Sequence, residues 1–158
     1  MMNLVKYFEN FDALKDKTYE TGEMLVTPHM TFVTTSPSNS LGMSIGPVRS
    51  EEEGFNEKGL LSDNNSHFGP GDLLVTFRHP RIQGFELAFH GYNAHGYVCK
   101  CFDQGGQLVT ELPLKTDEAQ FVRYERGGGE GYISRLEINF WSDYTYMAVD
   151  SFCIWGEE

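Results

Sequence analysis

The chain has few basic residues. Its 158 residues include 12 Lys and Arg against 23 Asp and Glu, which gives a formal net charge of −11. So sparse a set of cations cannot form the basic patch that nucleic acid or an anionic membrane surface requires, and we expect neither as a partner. An acidic surface is compatible with a neutral ligand such as a sugar, with a cation, or with solubility alone.

Long apolar runs and a leader segment are also missing. No apolar stretch approaches the length of a membrane span. The first residues, Met1 to Glu9, reach charged side chains before an apolar segment of useful length forms, so no signal peptide is visible. We therefore expect a cytoplasmic protein, or a secreted one if a longer precursor has been trimmed.

Cysteine is scarce, with three residues at Cys99, Cys101 and Cys153. An odd number of cysteines cannot pair completely within one chain. Cys99 and Cys101 lie two residues apart on a predicted strand, so their side chains point to the same face, which is poor geometry for a disulfide. We expect all three thiols to be reduced and buried.

Helical periodicity and enzyme motifs are rare. The candidate helix is a short one near residues 10–17, where Asn10 or Asp12 can cap a turn. The sequence contains no phosphate-binding loop of the Walker type and no H-E-x-x-H metal motif. The glycines of Gly127 to Gly131 are too few and wrongly placed to cradle a phosphate.

What the chain does contain is a series of short strand patterns separated by turn signals. These predict an all-β fold, a two-sheet antiparallel β-sandwich or jelly roll, with about 8–10 strands. We expect a single domain over residues 1–158, with a long irregular segment at 35–71. Within that segment, residues 41–48 and 55–61 are candidates for short strands.

The second half of the chain predicts its own strand pairings. Alternating residues and two turn segments within 82–114 predict a three-stranded meander. Two further alternating segments, at 132–140 and 147–154, predict a pair of strands that closes the sheet.

One carboxylate, Asp150, interrupts the otherwise apolar last strand. An ionised Asp that is buried without a partner costs several kcal/mol. We therefore expect Asp150 to have hydrogen-bond donors or a cation beside it.

Three segments carry a resemblance to a known group of domains. They are Phe8-Glu9 after the first strand, Val98-Cys99-Lys100-Cys101-Phe102-Asp103-x-x-Gly106, and Ala148-Val149-Asp150-Ser151-Phe152-x-Ile154. With these segments the chain resembles the galactose-binding-like jelly rolls of bacterial carbohydrate-binding modules. The resemblance implies that the first and last strands lie together, and that an acid from each helps to hold a structural calcium.

Carried over to this chain, the implied calcium ligands are Glu9 and Asp150, together with backbone carbonyls. Calcium takes six to eight oxygen ligands, so two carboxylates with carbonyls form a suitable site. Ser151 stands where the group more often has Asn or Asp, a departure that weakens one ligand position. The alternative is that Asp150 accepts backbone N–H bonds or pairs with Arg or Lys, and that Glu9 is solvated.

Two predicted hairpin tips have the composition of a sugar site, which combines an aromatic platform with a few polar groups. We predict the ligand contacts Tyr92, Asn93, His95, Trp141, Tyr144 and Tyr146. The alternative is that these aromatic side chains pack in the core or across strands. A second candidate surface is the sheet face with Arg135, Glu137, Asn139 and Trp141, near which Glu86 and His90 are also expected.

The sequence therefore predicts a non-catalytic binding domain for carbohydrate with a structural calcium. One alternative is a protein-interaction sandwich, which would show a contiguous apolar patch without polar groups. Another is a small hydrolase or lyase with two carboxylates across a cleft, such as Glu86 and Glu137. A zinc site at His90, His95 and Asp143 is a third.

Overall fold

The described part of the chain folds entirely into strands and their connections. The computed structural model describes residues 3–35, 41–47, 57–62, 71–91, 97–115, 117–140 and 147–158. The strands in these ranges are β1 (Leu4–Glu9), β2 (Lys17–Glu20), β3 (Leu25–Val26), β4 (Met30–Thr35), β5 (Leu41–Pro47), β6 (Lys58–Ser62), β7 (Gly71–Phe77), β8 (Ile82–Gly91), β9 (Val98–Asp103), β10 (Leu108–Pro113), β11 (Ala119–Glu125), β12 (Ile133–Phe140) and β13 (Met147–Glu157). Their pairings are antiparallel.

The strands form two layers around one core. The first sheet has the order β3-β4-β7-β12-β9-β10, and the second has the order β2-β5-β6-β13-β8-β11, with β1 also paired to β13. One pairing, between Ile133 of β12 and Ile82 of β8, joins the two sheets. Apolar side chains from both inner faces meet in a single buried cluster that includes Phe32, Phe85 and Phe152. The predicted two-sheet antiparallel sandwich is confirmed.

The strand count exceeds the prediction, because the described residues contain 13 strands. The segment at 35–71 includes β5 and β6, which confirms the two candidate strands there. Residues 10–16 form a turn and not a helix. Asn10 does cap it, since its Oδ1 accepts the Asp12 N–H at 3.2 Å.

Two predicted pairings are wrong. β9 pairs with β10 and β12, whereas β8 pairs mainly with β11 and β13, so residues 82–114 do not form a meander. β12 and β13 also lie in different sheets. Alternation shows which residues face inward but not which strands are neighbours. The first and last strands pair with each other, as the resemblance implied. Their register runs from Leu4 opposite Glu157 to Glu9 opposite Phe152.

The cysteines differ in exposure. All three are free; Cys99 and Cys101 are buried on the inner face of the first sheet, as expected. Cys153 is only half-buried, on the outer face of the second sheet. Among the described residues there is no helix long and apolar enough to cross a membrane.

Candidate functional site

The outer face of the second sheet carries a groove between two exposed aromatic side chains. Phe8 of β1 is 67% exposed and Phe121 of β11 is 44% exposed. The groove has a volume of about 380 Å³. Its other lining residues include Glu9, Asn10, Glu86, Ser151 and Cys153.

Strand register brings these side chains onto one face. Phe8 of β1 is opposite Cys153 of β13, and Cys153 is opposite Glu86 of β8. Glu86 in turn is opposite Arg123 of β11. This row of four residues crosses three strand spacings, about 14 Å in all. The groove therefore runs across the strands.

Glu86 lines the groove, and its partner Arg123 lies next to it on the same sheet face. Arg123 Nη1 lies 3.6 Å from Glu86 Oε2. The guanidinium carbon of Arg123 also lies 4.6 Å from the ring centre of Trp155, which is 5% exposed. A carboxylate accepts hydrogen bonds and arginine supplies several N–H donors, so Glu86 in the groove and Arg123 beside it can bond to ligand hydroxyl groups.

A β-bulge shapes the floor of the groove. The register of β13 against β8 shifts between Asp150 and Cys153, and Ser151 adopts a left-handed backbone conformation with φ of 50°. Bulges re-aim side chains and are common beside binding sites. Asn and Asp adopt the left-handed region more readily than other residues with side chains. Asn or Asp would therefore suit the backbone at position 151 better than Ser.

The two predicted calcium ligands lie at the same end of the β1–β13 pair. Asp150 is completely buried, and its Oδ1 accepts the Ser151 N–H at 2.7 Å. Glu9 is opposite Phe152, and its Oε2 accepts the Phe11 N–H at 3.2 Å. This donor agrees with the expectation that Asp150 has a hydrogen-bond donor or a cation beside it. Within the described ranges no three His, Cys, Asp or Glu side chains converge, so a cation here would depend on these two carboxylates and on backbone carbonyls.

The six predicted sugar contacts lie outside the described residues. They are Tyr92, Asn93, His95, Trp141, Tyr144 and Tyr146. His95 and Asp143 of the zinc hypothesis also lie outside.

The second candidate surface is divided between the two sheets. Arg135, Glu137 and Asn139 of β12 alternate with the buried Leu136 and Ile138, as expected. Arg135 Nη2 lies 3.5 Å from Glu137 Oε1, and Asn139 Nδ2 donates to Asp72 Oδ1 at 2.7 Å.

Glu86 and His90, which were expected near that surface, belong to β8 of the second sheet. That part of the prediction is wrong, because the parity of a strand does not show which sheet contains it. The same separation places Glu86 and Glu137 on the outer faces of opposite sheets. They therefore do not flank a common cleft, as the hydrolase hypothesis would require.

Phe8 and Phe121 were not among the predicted contacts, although a signal for them was available. Phe8 shares the parity of Lys6 on β1, and Phe121 shares the parity of Arg123 and Glu125 on β11. Charged residues at alternate positions of a strand mark its solvent-facing side. The aromatic residues on that side are therefore exposed.

A serine-hydrolase motif occurs in the sequence, but its position in the fold does not suit that function. Residues Gly42-Met43-Ser44-Ile45-Gly46 match the G-x-S-x-G pattern of a nucleophile elbow, which requires a sharp strand-to-helix turn. Here the motif lies within β5, where Ser44 pairs with Thr18 on one side and Leu61 on the other. A serine inside a sheet lacks the geometry of an elbow.

Comparison with known proteins shows the fold. No family model and no curated protein sequence matches the chain. The carbohydrate-binding module TmCBM61, solved in complex with β-1,4-galactotriose, aligns over 80% of this chain and 88% of its own, with 12% identity and a TM-score of 0.58. A cleaved adhesin domain of Lys-gingipain from Porphyromonas gingivalis aligns over 97% of this chain and 99% of its own, with 9% identity and a TM-score of 0.55. The jelly-roll fold of carbohydrate-binding modules is therefore confirmed.

Proposed function

We propose that this chain is a non-catalytic carbohydrate-binding domain whose ligand lies in the groove between Phe8 and Phe121. The observation that carries the proposal is the grouping of these two exposed rings with Asn10, Glu86 and Arg123 on one sheet face. A sugar ring has an apolar C–H face and a rim of hydroxyl groups. It therefore binds where aromatic platforms and polar side chains alternate.

The shape of the groove supports a ligand of several linked sugars. Phe8 on β1 and Phe121 on β11 are separated by three strand spacings, about 14 Å, which is longer than one sugar ring. Phe8 and Phe121 lie on β1 and β11, with β13 and β8 between them. Rings at the two sides can contact different units of one oligosaccharide.

A protein-interaction surface is the second candidate. Leu4, which is 59% exposed, lies on the same outer face of β1 as Phe8, with Lys6 between them. Against this candidate, Glu86 and Arg123 lie within the same face, so the apolar surface is interrupted by charge. A contiguous apolar patch would favour a protein partner more strongly.

Binding measurements on matched variants test the proposal. The first probe is β-1,4-galactotriose, the ligand in the TmCBM61 structure, followed by a panel of soluble neutral polysaccharides. Because Phe8 and Phe121 are exposed, Phe8→Ala and Phe121→Ala should leave the fold intact. We expect each to weaken binding by about tenfold or more, since an aromatic contact contributes on the order of 1–2 kcal/mol.

Leu108→Ala is the control. Leu108 is 50% exposed on β10 of the first sheet, and its removal should not change the affinity. Binding that both phenylalanine variants retain would move the site away from the groove, and the predicted contacts Tyr92 and Trp141 would then be substituted. Failure of the folded wild type to bind any glycan, with self-association that Phe8→Ala abolishes, would favour the interaction protein.

A structural calcium at Glu9 and Asp150 is a further part of the proposal. The resemblance implies these two acids, and the β1–β13 register brings their backbones to the same end of one strand pair. A fully buried carboxylate gains more from a cation than an exposed one, because burial weakens solvent screening. When bound, the ion would stabilise the start of β13 against the end of β1.

A further inference from the structure

Two histidines from different turns face each other at one end of the first sheet. His29 lies in the connection between β3 and β4, and His79 lies in the connection between β7 and β8. His29 Nδ1 is 2.9 Å from His79 Nε2, which is hydrogen-bond distance. The backbone reinforces the contact, since the Arg78 N–H donates to the His29 carbonyl at 2.9 Å.

Tyr7 of β1 completes the cluster. Its ring stacks on His79 with ring centres 3.7 Å apart and planes inclined by 5°. The His29 ring centre lies 4.8 Å from that of Tyr7. β3 and β4 belong to the first sheet and β1 to the second, while the β7–β8 connection passes from the first sheet to the second. The Tyr7–His29–His79 cluster therefore holds together two turns and the strand β1 where the two sheets meet.

The hydrogen bond depends on the charge state of the histidines. One neutral imidazole can donate its N–H to the bare nitrogen of the other, whereas two imidazolium ions present only donors. A second proton would therefore replace this hydrogen bond by repulsion between two cations. Both rings are half-buried, so water screens that repulsion only in part.

The groups around the pair do not compensate an added charge. Arg78, in the same turn as His79, is a cation whose Nη1 donates to the Thr27 carbonyl at 2.6 Å. Tyr7 faces the pair from β1 with its phenol ring. None of the ion pairs between described residues involves His29 or His79. Burial, followed by the nearby His29 and Arg78, lowers the pKa of His79 below its ordinary value of 6.5.

We propose that the Tyr7–His29–His79 cluster is a pH-sensitive latch. It holds β1 and the β3–β4 turn against the β7–β8 turn while the histidines remain hydrogen-bonded, and it releases them when both are protonated. Since the folded protein favours neutral His79, the stabilisation is fully present above about pH 6.5 and is lost as the pH falls through the lower pKa of the folded state.

Opening of the latch would also affect the groove, because Phe8 and Glu9 directly follow Tyr7 on β1. This consequence rests on the function proposed above. The latch itself does not, and its test uses no sugar. A failure of one proposal is therefore distinguishable from a failure of the other.

The test is a titration of the whole chain from about pH 8 to about pH 5. NMR signals of the histidine rings and of the backbone amides are recorded at each pH. We expect His79 to titrate below pH 6.5, and the amide signals of Lys6 and Tyr7 to shift with the same midpoint. His29→Gln removes a neighbouring charge, so it should raise the pKa of His79 towards its ordinary value. In His79→Phe, which retains an aromatic ring against Tyr7, the Lys6 and Tyr7 shifts should disappear.

Thermal melts provide a second readout. Between the two ends of the titration, the melting temperature of the wild type should fall by at least about 2 °C more than that of His79→Phe. The latch is overturned if His79 titrates at or above pH 6.5, if the β1 amides do not follow it, or if both proteins lose the same stability in acid. If His79→Phe does not fold, the test rests on the titration midpoint of His79. It should lie below pH 6.5 in the wild type and should be higher in His29→Gln.

Discussion

The indole ring of Trp155 lies directly over Gly84 on the outer face of the second sheet. The two residues are opposite each other in the β13–β8 register, and a methyl group on Gly84 would overlap the indole ring. The guanidinium carbon of Arg123 lies over the same ring, 4.6 Å from its centre. The missing side chain at Gly84 therefore makes room for a large aromatic residue that contacts Arg123, the partner of Glu86.

Replacement of Gly84 by alanine should destabilise the protein. The added methyl forces Trp155 out of its position, and overpacking of this kind costs about 1–3 kcal/mol. The free energy of unfolding from urea denaturation measures the loss. Gly128→Ala is the matched control, because nothing lies within 4 Å of a methyl group there. Equal stability of the two variants would mean that Trp155 does not pack on Gly84 in solution.

Substitution of Ser151 tests the bulge. Because its φ is 50°, Ser151→Asn should stabilise the fold by about 0.5 kcal/mol, whereas the β-branched Ser151→Val should destabilise it by about 1 kcal/mol or more. Urea denaturation again gives the values. Ser134, on β12, supplies the control pair Ser134→Asn and Ser134→Val, since its backbone is not left-handed. The same order of stabilities at both positions would contradict a left-handed conformation at Ser151.

Calcium should raise the melting temperature if Glu9 and Asp150 hold the ion. Stabilisation by a bound ligand grows with its concentration, so about one hundred times the dissociation constant adds about 2.7 kcal/mol. Thermal melts with calcium, with magnesium and with EDTA measure the shift. Glu9→Gln and Asp150→Asn should abolish it, while Glu125→Gln, an exposed acid on β11, should not. A wild type indifferent to calcium would leave Asp150 as a hydrogen-bonded structural acid.

The cysteines should differ in reactivity. Burial raises the pKa of Cys101 to about 12 and raises that of Cys99 further. Since the thiolate is the reactive species, an aromatic disulfide reagent should modify Cys153 first in the native protein and all three thiols after denaturation. Cys153→Ser should remove the fast phase. Fast modification that survives in this variant would show that the first sheet opens readily.

The same reaction reports on the groove, which Cys153 lines. If a glycan that binds the protein occupies the groove, a saturating concentration should slow the modification of Cys153. Labelling at an unchanged rate would place that glycan elsewhere on the surface.

Much of the secondary structure was available from the sequence. The strands near residues 4–8, 73–77 and 147–154 follow from alternation of apolar and polar residues, which is a local signal. β2 was missed, because four residues with only Tyr19 buried carry little periodicity. The turn at 10–16 resembled a short helix because Asn10 is a good cap for either structure.

The candidate site was predictable only in part. Glu9 and Asp150 stay predictions as calcium ligands. Phe8 and Phe121 are far apart in the chain, and nothing in the sequence around one indicates that it lies near the other. Their meeting across β1, β13, β8 and β11 depends on pairings that the sequence pattern predicted wrongly, since residues 82–114 appeared to form a meander.

By itself, the sequence determined an acidic, all-β chain with a buried carboxylate that requires a partner. Alternation, charge and burial are properties of single residues and of their near neighbours. Only the tertiary structure decided that β8 and β11 lie beside the β1–β13 pair, and hence that Phe8, Glu86 and Arg123 share one face. The backbone hydrogen bonds that join strands are the same for every residue type except proline, which has no N–H to donate. The choice of neighbour therefore depends on how the two whole sheets pack around their core.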